Sequence, residues 1–424
     1  MLSVQYIREN VERVKGDVIL RHTNAPIDQV LQLDDERRGL LQEVERLRAE
    51  RNVASKEIGA SKDAAERDAK IASMRGVSDR ITELELKLRT VEAALQQGLY
   101  EIPNIVDPQV PRGPDEESNV VIESYGSPKA LRFTPKTHWE IGEGLAGIDF
   151  ERAVKMSGSR FYVLRDGIAR LHRALIAWML DFHTVEGGFI EHYLPYMVSE
   201  ESLFASGHLP KFRENLYHDA EEDYYFIPTA EASFANLYRD EILPPGFLPQ
   251  RFVAHTPCFR REKMSAGRDT RGLKRVHQFE KVEMFVFCEP EQSEAELENL
   301  VQRARSIPEQ LELPHRVIQL CSGDLDFKAT MGFDVEIWSP GIGEWLEVSS
   351  ASNCLDFQAR RANIRYRPAP DGPTRYPHML NASGLAPGRT LIAVLENYQE
   401  EDGSIVVPEV LRRYVGADVL VPQG

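Results

Sequence analysis

Two apolar heptad patterns separated by a five-residue break constrain this chain more than any other feature. Leu33, Leu40, Leu47 and Ala54 recur every seventh residue, and Val44 and Ile58 fall on a second row that Arg37 and Arg51 interrupt. After the break, Met74, Ile81, Leu88 and Leu95 form one row and Val77, Leu84 and Val91 the other. Such a repeat with charged flanks specifies a helix with a narrow apolar seam, which is stable only when the seam is covered. The break, Gly59-Ala60-Ser61-Lys62-Asp63, holds a glycine and no apolar period, as a turn does. A short linker between seams of similar length predicts an antiparallel helical hairpin over about residues 34–97, each seam burying the other.

Prolines end the hairpin. Four of them, Pro103, Pro108, Pro111 and Pro114, fall within the sixteen residues from Ile102 to Glu117, and proline cannot continue a helix. The expected organisation is a helical arm over residues 1–104, a proline-rich connector over 105–119 and a second domain over 120–424. Within that domain, Val282-Glu283-Met284-Phe285-Val286-Phe287 and Phe333-Asp334-Val335-Glu336-Ile337-Trp338 alternate as strands with one buried face do. Ile168, Leu171, Leu175, Trp178, Met179 and Phe182 share the face of a helix over about Gly167 to Val185, and a second helix is expected near Leu391 to Tyr398. The fold class is therefore α+β: a helical hairpin, and a mostly antiparallel sheet flanked by helices.

Charge limits the partners. The chain has 51 Lys+Arg and 67 Asp+Glu, a net charge of −16, which excludes indiscriminate phosphate binding through massed basic residues. The hairpin, with 13 basic and 14 acidic side chains between Asp34 and Gln97, is near neutral. On seam and charge alone it fits a spacer or dimerisation coil better than a nucleic-acid arm. No apolar run reaches membrane-span length, and the start, Met1 to Asn10, lacks an apolar signal core, so a cytoplasmic location without membrane partners is expected. Cys258, Cys288, Cys321 and Cys354 are spaced 30, 33 and 33 residues apart, a pattern that predicts neither zinc nor a disulfide framework.

Three segments carry chemistry. In Cys258-Phe259-Arg260-Arg261-Glu262, Arg260 and Glu262 two residues apart on a strand would share a face, and Val276-His277-Gln278-Phe279-Glu280 returns an aromatic ring beside them. Arginine pairs with phosphate, a carboxylate accepts from an exocyclic amine, and a phenyl ring stacks on a purine. The same residues also fit a surface hairpin with ion pairs. In Trp345-Leu346-Glu347-Val348-Ser349-Ser350, a regular strand puts Glu347 and Ser349 on one face, whereas a bulge would join Glu347 to Ser350; their oxygens suit magnesium, or simply a polar strand end. In Leu380-Asn381-Ala382-Ser383-Gly384-Leu385-Ala386-Pro387-Gly388-Arg389, a tight loop leads to a helix start that Arg389 makes more positive, as a phosphate requires.

Taken together, these blocks resemble the signature segments of class II aminoacyl-tRNA synthetases, and their wording is similar to that of the seryl-tRNA synthetase family. The likeness also covers the hairpin, Thr229-Ala230-Glu231, the loop from Ser265 to Gly272 and Asp356-Phe357-Gln358-Ala359-Arg360-Arg361. It implies activation of L-serine by ATP to seryl-adenylate and pyrophosphate, then transfer to the 3′ end of tRNA(Ser), with tRNA(Sec) a further candidate. Arg260 and Arg389 would be the catalytic cations. ATP would be held by Arg260, Arg261, Glu262, Val276, Phe279, Glu347, Val348, Ser349, Ser350 and Arg389, with Mg2+ on Glu347 and Ser350. Serine would be held by Thr229, Ala230, Glu231, Arg260, Glu283, Asn381 and Ser383. The resemblance also implies a homodimer, with residues 167–185 and the Pro195 segment at the interface and the arm gripping the long variable arm of the tRNA.

Departures from the family pattern lie in Arg261, Lys263 and Met264 beside the Arg-x-Glu pair, in Met331 where lysine is common, and in Ala382 where glycine is common. Two rivals are an amino-acid-activating relative that loads a carrier protein and a non-catalytic tRNA-binding relative. An intact hairpin opposes the first. Joint retention of Arg260, Glu262, Glu283, Glu347 and Arg389 opposes the second.

Overall fold

The computed structural model describes residues 1–128, 131–263 and 271–422, apart from the side chain of Glu66. They divide into two units, one of residues 2–19 and 23–103, the other of residue 1, residues 20–22 and 104–424.

The first unit is helical: α1 (Val4–Glu9), α2 (Val11–Leu20), α3 (Ile27–Ala60) and α4 (Ala64–Tyr100). The break between the long helices is confined to Ser61–Asp63, because Gly59 and Ala60 stay helical. Leu40, Val44, Leu47, Ile81, Leu84 and Val91 form the buried seam of α3 and α4, with Leu33, Val77 and Leu88 packed against it. Toward the turn Ala54, Ile58 and Met74 are only half-buried, so the seam fades at its tip. Cross-helix ion pairs Arg48–Glu85 and Lys87–Glu36, both at 2.8 Å, flank it. At the base, Asp34 is buried between Arg8 at 2.6 Å and Arg37 at 2.8 Å. Burial alone would raise its pKa; the two guanidiniums reverse this and hold the carboxyl below its ordinary range.

The second unit is built on one eight-stranded sheet. In chain order its strands are β1 (Val120–Tyr125), β2 (Ile190–Glu191), β3 (Gln250–Phe259), β4 (Gln278–Cys288), β5 (His315–Gln319), β6 (Met331–Ser339), β7 (Glu344–Asn353) and β8 (His378–Ser383). They lie in the order β1-β5-β6-β7-β8-β4-β3-β2. Every neighbouring pair is antiparallel except β2 with β3. On one face pack α6 (Asp166–Asp181), α7 (Ser293–Gln310), α8 (Pro387–Asn397) and α9 (Glu409–Val415), numbered after α5 (His138–Gly144). This face takes Val282, Met284 and Val286 of β4, and the alternate residues Phe285 and Phe287 enter an aromatic layer with Phe234 and Phe252 on the other.

Two helices differ from expectation at their ends. The helix expected over Gly167 to Val185 is α6, which closes in a π turn over Phe182–Glu186. The helix expected near Leu391 begins earlier, at Pro387, because proline fits a first helical position whose N–H needs no partner. Arg389 therefore sits in its first turn. The four cysteines are buried and not bonded to one another. Among the described residues no helix is long and apolar enough to cross a membrane.

The coil seam yields a stability prediction. Leu84 is 5% exposed, so Leu84→Ala is expected to destabilise the helical unit by about 2–5 kcal/mol. Heating followed by far-ultraviolet circular dichroism should show helix loss beginning at a lower temperature than in the wild type.

Candidate active site

The face of β4 that carries Phe285 and Phe287 also carries Glu283, two residues toward the strand's start. There the aromatic layer gives way to a cavity of about 410 Å³. Antiparallel pairing sets Ser383 of β8 opposite Glu283 and Asn381 opposite Phe285, so all three side chains point the same way. Glu283 is fully buried and accepts from Thr229 Oγ1 at 3.2 Å and Asn381 Nδ2 at 3.3 Å. Lys281, two residues earlier on the same face, pairs with Glu283 and donates to Thr229 Oγ1 at 3.1 Å. A second carboxylate, Glu231, opens the short helix Glu231–Phe234 and takes Gln358 Nε2 at 2.7 Å and Lys328 Nζ at 3.3 Å. Burial, only partly offset by Lys328, pushes the pKa of Glu231 up.

Arg260 and Glu262 meet for a reason other than strand alternation. β3 ends at Phe259, and beyond it Glu262 takes a positive φ of 51°, turning the chain so that both side chains line the cavity. Asn215 shapes this turn by accepting Arg261 N through its carbonyl at 2.9 Å and Lys263 N through its side chain at 3.2 Å. The Arg260 guanidinium lies 5.0 Å from the Phe279 ring centre and donates to Pro228 O at 3.3 Å. Val276 completes this wall.

On β7 the bulged alternative holds. Opposite Val335 and Glu336 of β6 stand Ser349 and Glu347, which leaves Val348 as an extra residue. The shift turns Glu347 and Ser350 into the cavity, while Ser349 is buried and donates to Ser383 O at 2.6 Å. Arg389 reaches Glu347 across the mouth, at 2.7 Å from its carbonyl oxygen and 3.4 Å from its carboxylate.

The cavity thus gathers Thr229, Glu231, Arg260, Glu262, Val276, Phe279, Glu347, Val348, Ser350, Asn381, Ser383 and Arg389. Glu283 lies beneath it, touching its lining. Ala230 is buried, Arg261 is exposed and Ser349 is turned away, so these three are not among the lining residues. Met264 and the segment from Ser265 to Thr270 fall outside the described residues. Sequence reasoning passed over Lys281, Asp326 and Lys328, all of which line the cavity. Lys281 was within reach, since a residue two before Glu283 on a strand must share its face. Lys328 was not, because it follows β5 and meets Glu231, 97 residues away in sequence, only through the fold.

Comparison with known proteins decides the lineage. Residues 1–106 match the family model described as seryl-tRNA synthetase N-terminal domain, and residues 212–398 the tRNA synthetase class II core domain (G, H, P, S and T). A serine–tRNA ligase of Thermomicrobium roseum is 55% identical over 98% of this chain and 94% of its own. The chain belongs to the seryl-tRNA synthetase family. A serine–tRNA ligase of a Roseiflexus species is 56% identical over 98% of both chains. The crystal structure of seryl-tRNA synthetase from Pyrococcus horikoshii complexed with ATP superposes with a TM-score of 0.94 at 41% identity, covering all of both chains.

The floor of this synthetase cavity has a pH signature. Burial alone would raise the pKa of Asp326, but Lys328 Nζ at 2.7 Å reverses this and holds the carboxyl below its ordinary range. Burial would likewise lower Lys328, and Asp326 and Glu231 more than offset that, so its pKa is raised. A depressed carboxylate contributes stability above its ordinary pKa of about 3.9 and loses it as pH falls through the lowered value. Lys328→Met is therefore expected to cost about 3–5 kcal/mol at neutral pH, chiefly by stranding the buried Glu231, while the half-exposed Asp326 adds little because water screens it. The gap to the wild type should narrow as pH falls, first as Glu231, whose pKa is raised, takes up a proton, and further below about pH 4 as Asp326 does. Urea unfolding at the two pH values measures it.

Proposed function

We propose that this cavity performs both steps of serine charging: L-serine and ATP give seryl-adenylate and pyrophosphate, and tRNA(Ser) then accepts the seryl group. The observation that carries the reading is the joining of two half-sites in one cavity. Arg260, Glu262, Phe279 and Arg389 suit a nucleotide triphosphate, and a buried carboxylate braced by Thr229, Asn381 and Lys281 suits a small hydroxylated amino acid.

In the first step a serine carboxylate oxygen attacks the α-phosphorus and pyrophosphate departs. Arg260 faces the reacting carboxylate and α-phosphate, and Arg389 draws charge from the departing end, so positioning and charge neutralisation suffice without a protein nucleophile. Glu262 accepts from the adenine amine while Phe279 packs on the ring. Glu231 receives the serine ammonium, and Glu283 accepts from the serine hydroxyl. In the second step a ribose hydroxyl of the terminal adenosine attacks the acyl carbon and AMP leaves.

Glu347 and Ser350 fit Mg2+, because the bulge turns two hard oxygen donors the same way and Asp334 Oδ1 lies buried nearby without a hydrogen-bond partner. When bound, the ion would neutralise phosphate charge. The hairpin over residues 1–104 is the tRNA-gripping element, 105–119 the connector and 120–424 the catalytic domain. tRNA(Sec) is a further acceptor of the same kind. A homodimer fits the apolar side chains left exposed just past α6, where Val185 is 82%, Ile190 54% and Tyr193 86% exposed. A cytoplasmic location fits the charging of tRNA for translation.

Serine-dependent ATP–pyrophosphate exchange followed by tRNA charging tests the assignment. Exchange without charging would favour a carrier-loading enzyme, and no exchange would defeat the reading. Glu283→Ala is expected to lower serine-dependent exchange about 10³-fold or more, since the pocket's remaining polar groups then recognise no hydroxyl. ATP binding by calorimetry should stay within about threefold of the wild type, because Glu283 faces only the amino acid.

A further inference from the structure

Outside the residues assigned above, one buried pair is bonded to the wall of the cavity. His138, the first residue of α5, and Glu396, near the end of α8, are both completely buried. Glu396 Oε1 accepts from the His138 backbone N–H and lies 2.9 Å from His138 Nδ1. Its Oε2 accepts from the Ser339 hydroxyl, from Gly341 N at 2.9 Å and from Ile342 N at 3.2 Å. A carboxylate with this many donors is held firmly in place.

The far side of the ring faces the cavity wall. Leu273 N lies 3.0 Å from His138 Nε2. A backbone N–H can only donate, so Nε2 must carry the lone pair and the proton must sit on Nδ1, which donates to Glu396. The ring is thus a neutral bridge: it takes a hydrogen bond from one main chain and passes one to a fixed carboxylate. Gly272 makes the approach possible, since a Cβ there would stand 2.2 Å from Nε2 and its φ is +77°. The four residues after Gly272, Leu273 through Val276, all line the cavity, and Arg275 lies 3.9 Å from Glu262. Glu396 belongs to the helix that presents Arg389 at its other end.

We propose that His138, oriented by Glu396, is a positioning residue that sets the distance between the two ATP-facing elements, residues 273–276 and the Arg389 helix start. The inference rests on the reading of this cavity as the ATP site. It assigns to His138 no contact with substrate.

The test is ATP–pyrophosphate exchange by the full chain, with ATP and serine varied separately. His138→Ala should raise the KM for ATP about tenfold and leave the KM for serine within about twofold. His138→Gln, whose carbonyl can accept the Leu273 amide, should recover most of the loss. Gly272→Ala, whose methyl group would force the Leu273 amide and the His138 ring apart while both residues of the pair are retained, should reproduce the ATP defect, and decides the matter should His138→Ala fail to fold. An ATP KM changed less than twofold, an equal rise in both KM values, or a glutamine variant no better than alanine would overturn the proposal. Wild-type protein without exchange would instead take down the reading of the cavity itself.

Discussion

Burying carboxylates beneath an open, polar-lined cavity is the constraint on which the rest of this structure turns. An ionised carboxyl removed from water is tolerated only when cations or donors replace the lost solvation. Glu283 meets the condition with Lys281, Thr229 and Asn381, and Glu231 meets it with Lys328 and Gln358. Those partners come from β4, β8 and segments far apart in the chain, so satisfying two acids draws the sheet, the short helix Glu231–Phe234 and the Asp326–Lys328 segment together. The recognition chemistry and the packing problem have the same solution.

The side proposed for the nucleotide is held mainly by backbone geometry. An extra residue at Val348 reverses the alternation of β7, so Glu347 and Ser350 face the cavity and Ser349 serves as an internal tie to Ser383. A positive φ at Glu262 performs the same office past the end of β3. Both are local departures from regular structure, which cost little in a sheet otherwise paired along its length and re-aim side chains at a site. The His138 ring extends this logic to the wall beyond Gly272, where a main-chain amide is fixed by a side chain that is itself fixed.

The helical unit follows simpler rules. A seam of six buried aliphatic residues and a few cross-helix ion pairs hold α3 to α4, with a buried acid, Asp34, clamped by two arginines at the base. Near-neutral charge along such an arm leaves little nonspecific pull on phosphates, so the tRNA proposed as its partner would be recognised by shape. The −16 carried by the whole chain lies almost wholly elsewhere.

What was legible in the sequence was whatever depends on period and local composition. The seven-residue repeat announced α3 and α4, the prolines announced the end of α4, and alternation announced β4 and β6, because each is a property of consecutive residues. The motif strings, matched to a known family, pointed to Arg260, Glu262, Phe279 and Arg389. Only the tertiary structure decided how they meet. The bulge at Val348 depends on pairing with β6, the placement of Lys328 beside Glu231 spans 97 residues, and the His138 bridge joins three segments that share no pattern. A linear reading supplies residue types and faces. Distances across a buried, low-dielectric interior arise when those faces close on one another, and there the site acquires its charges and its shape.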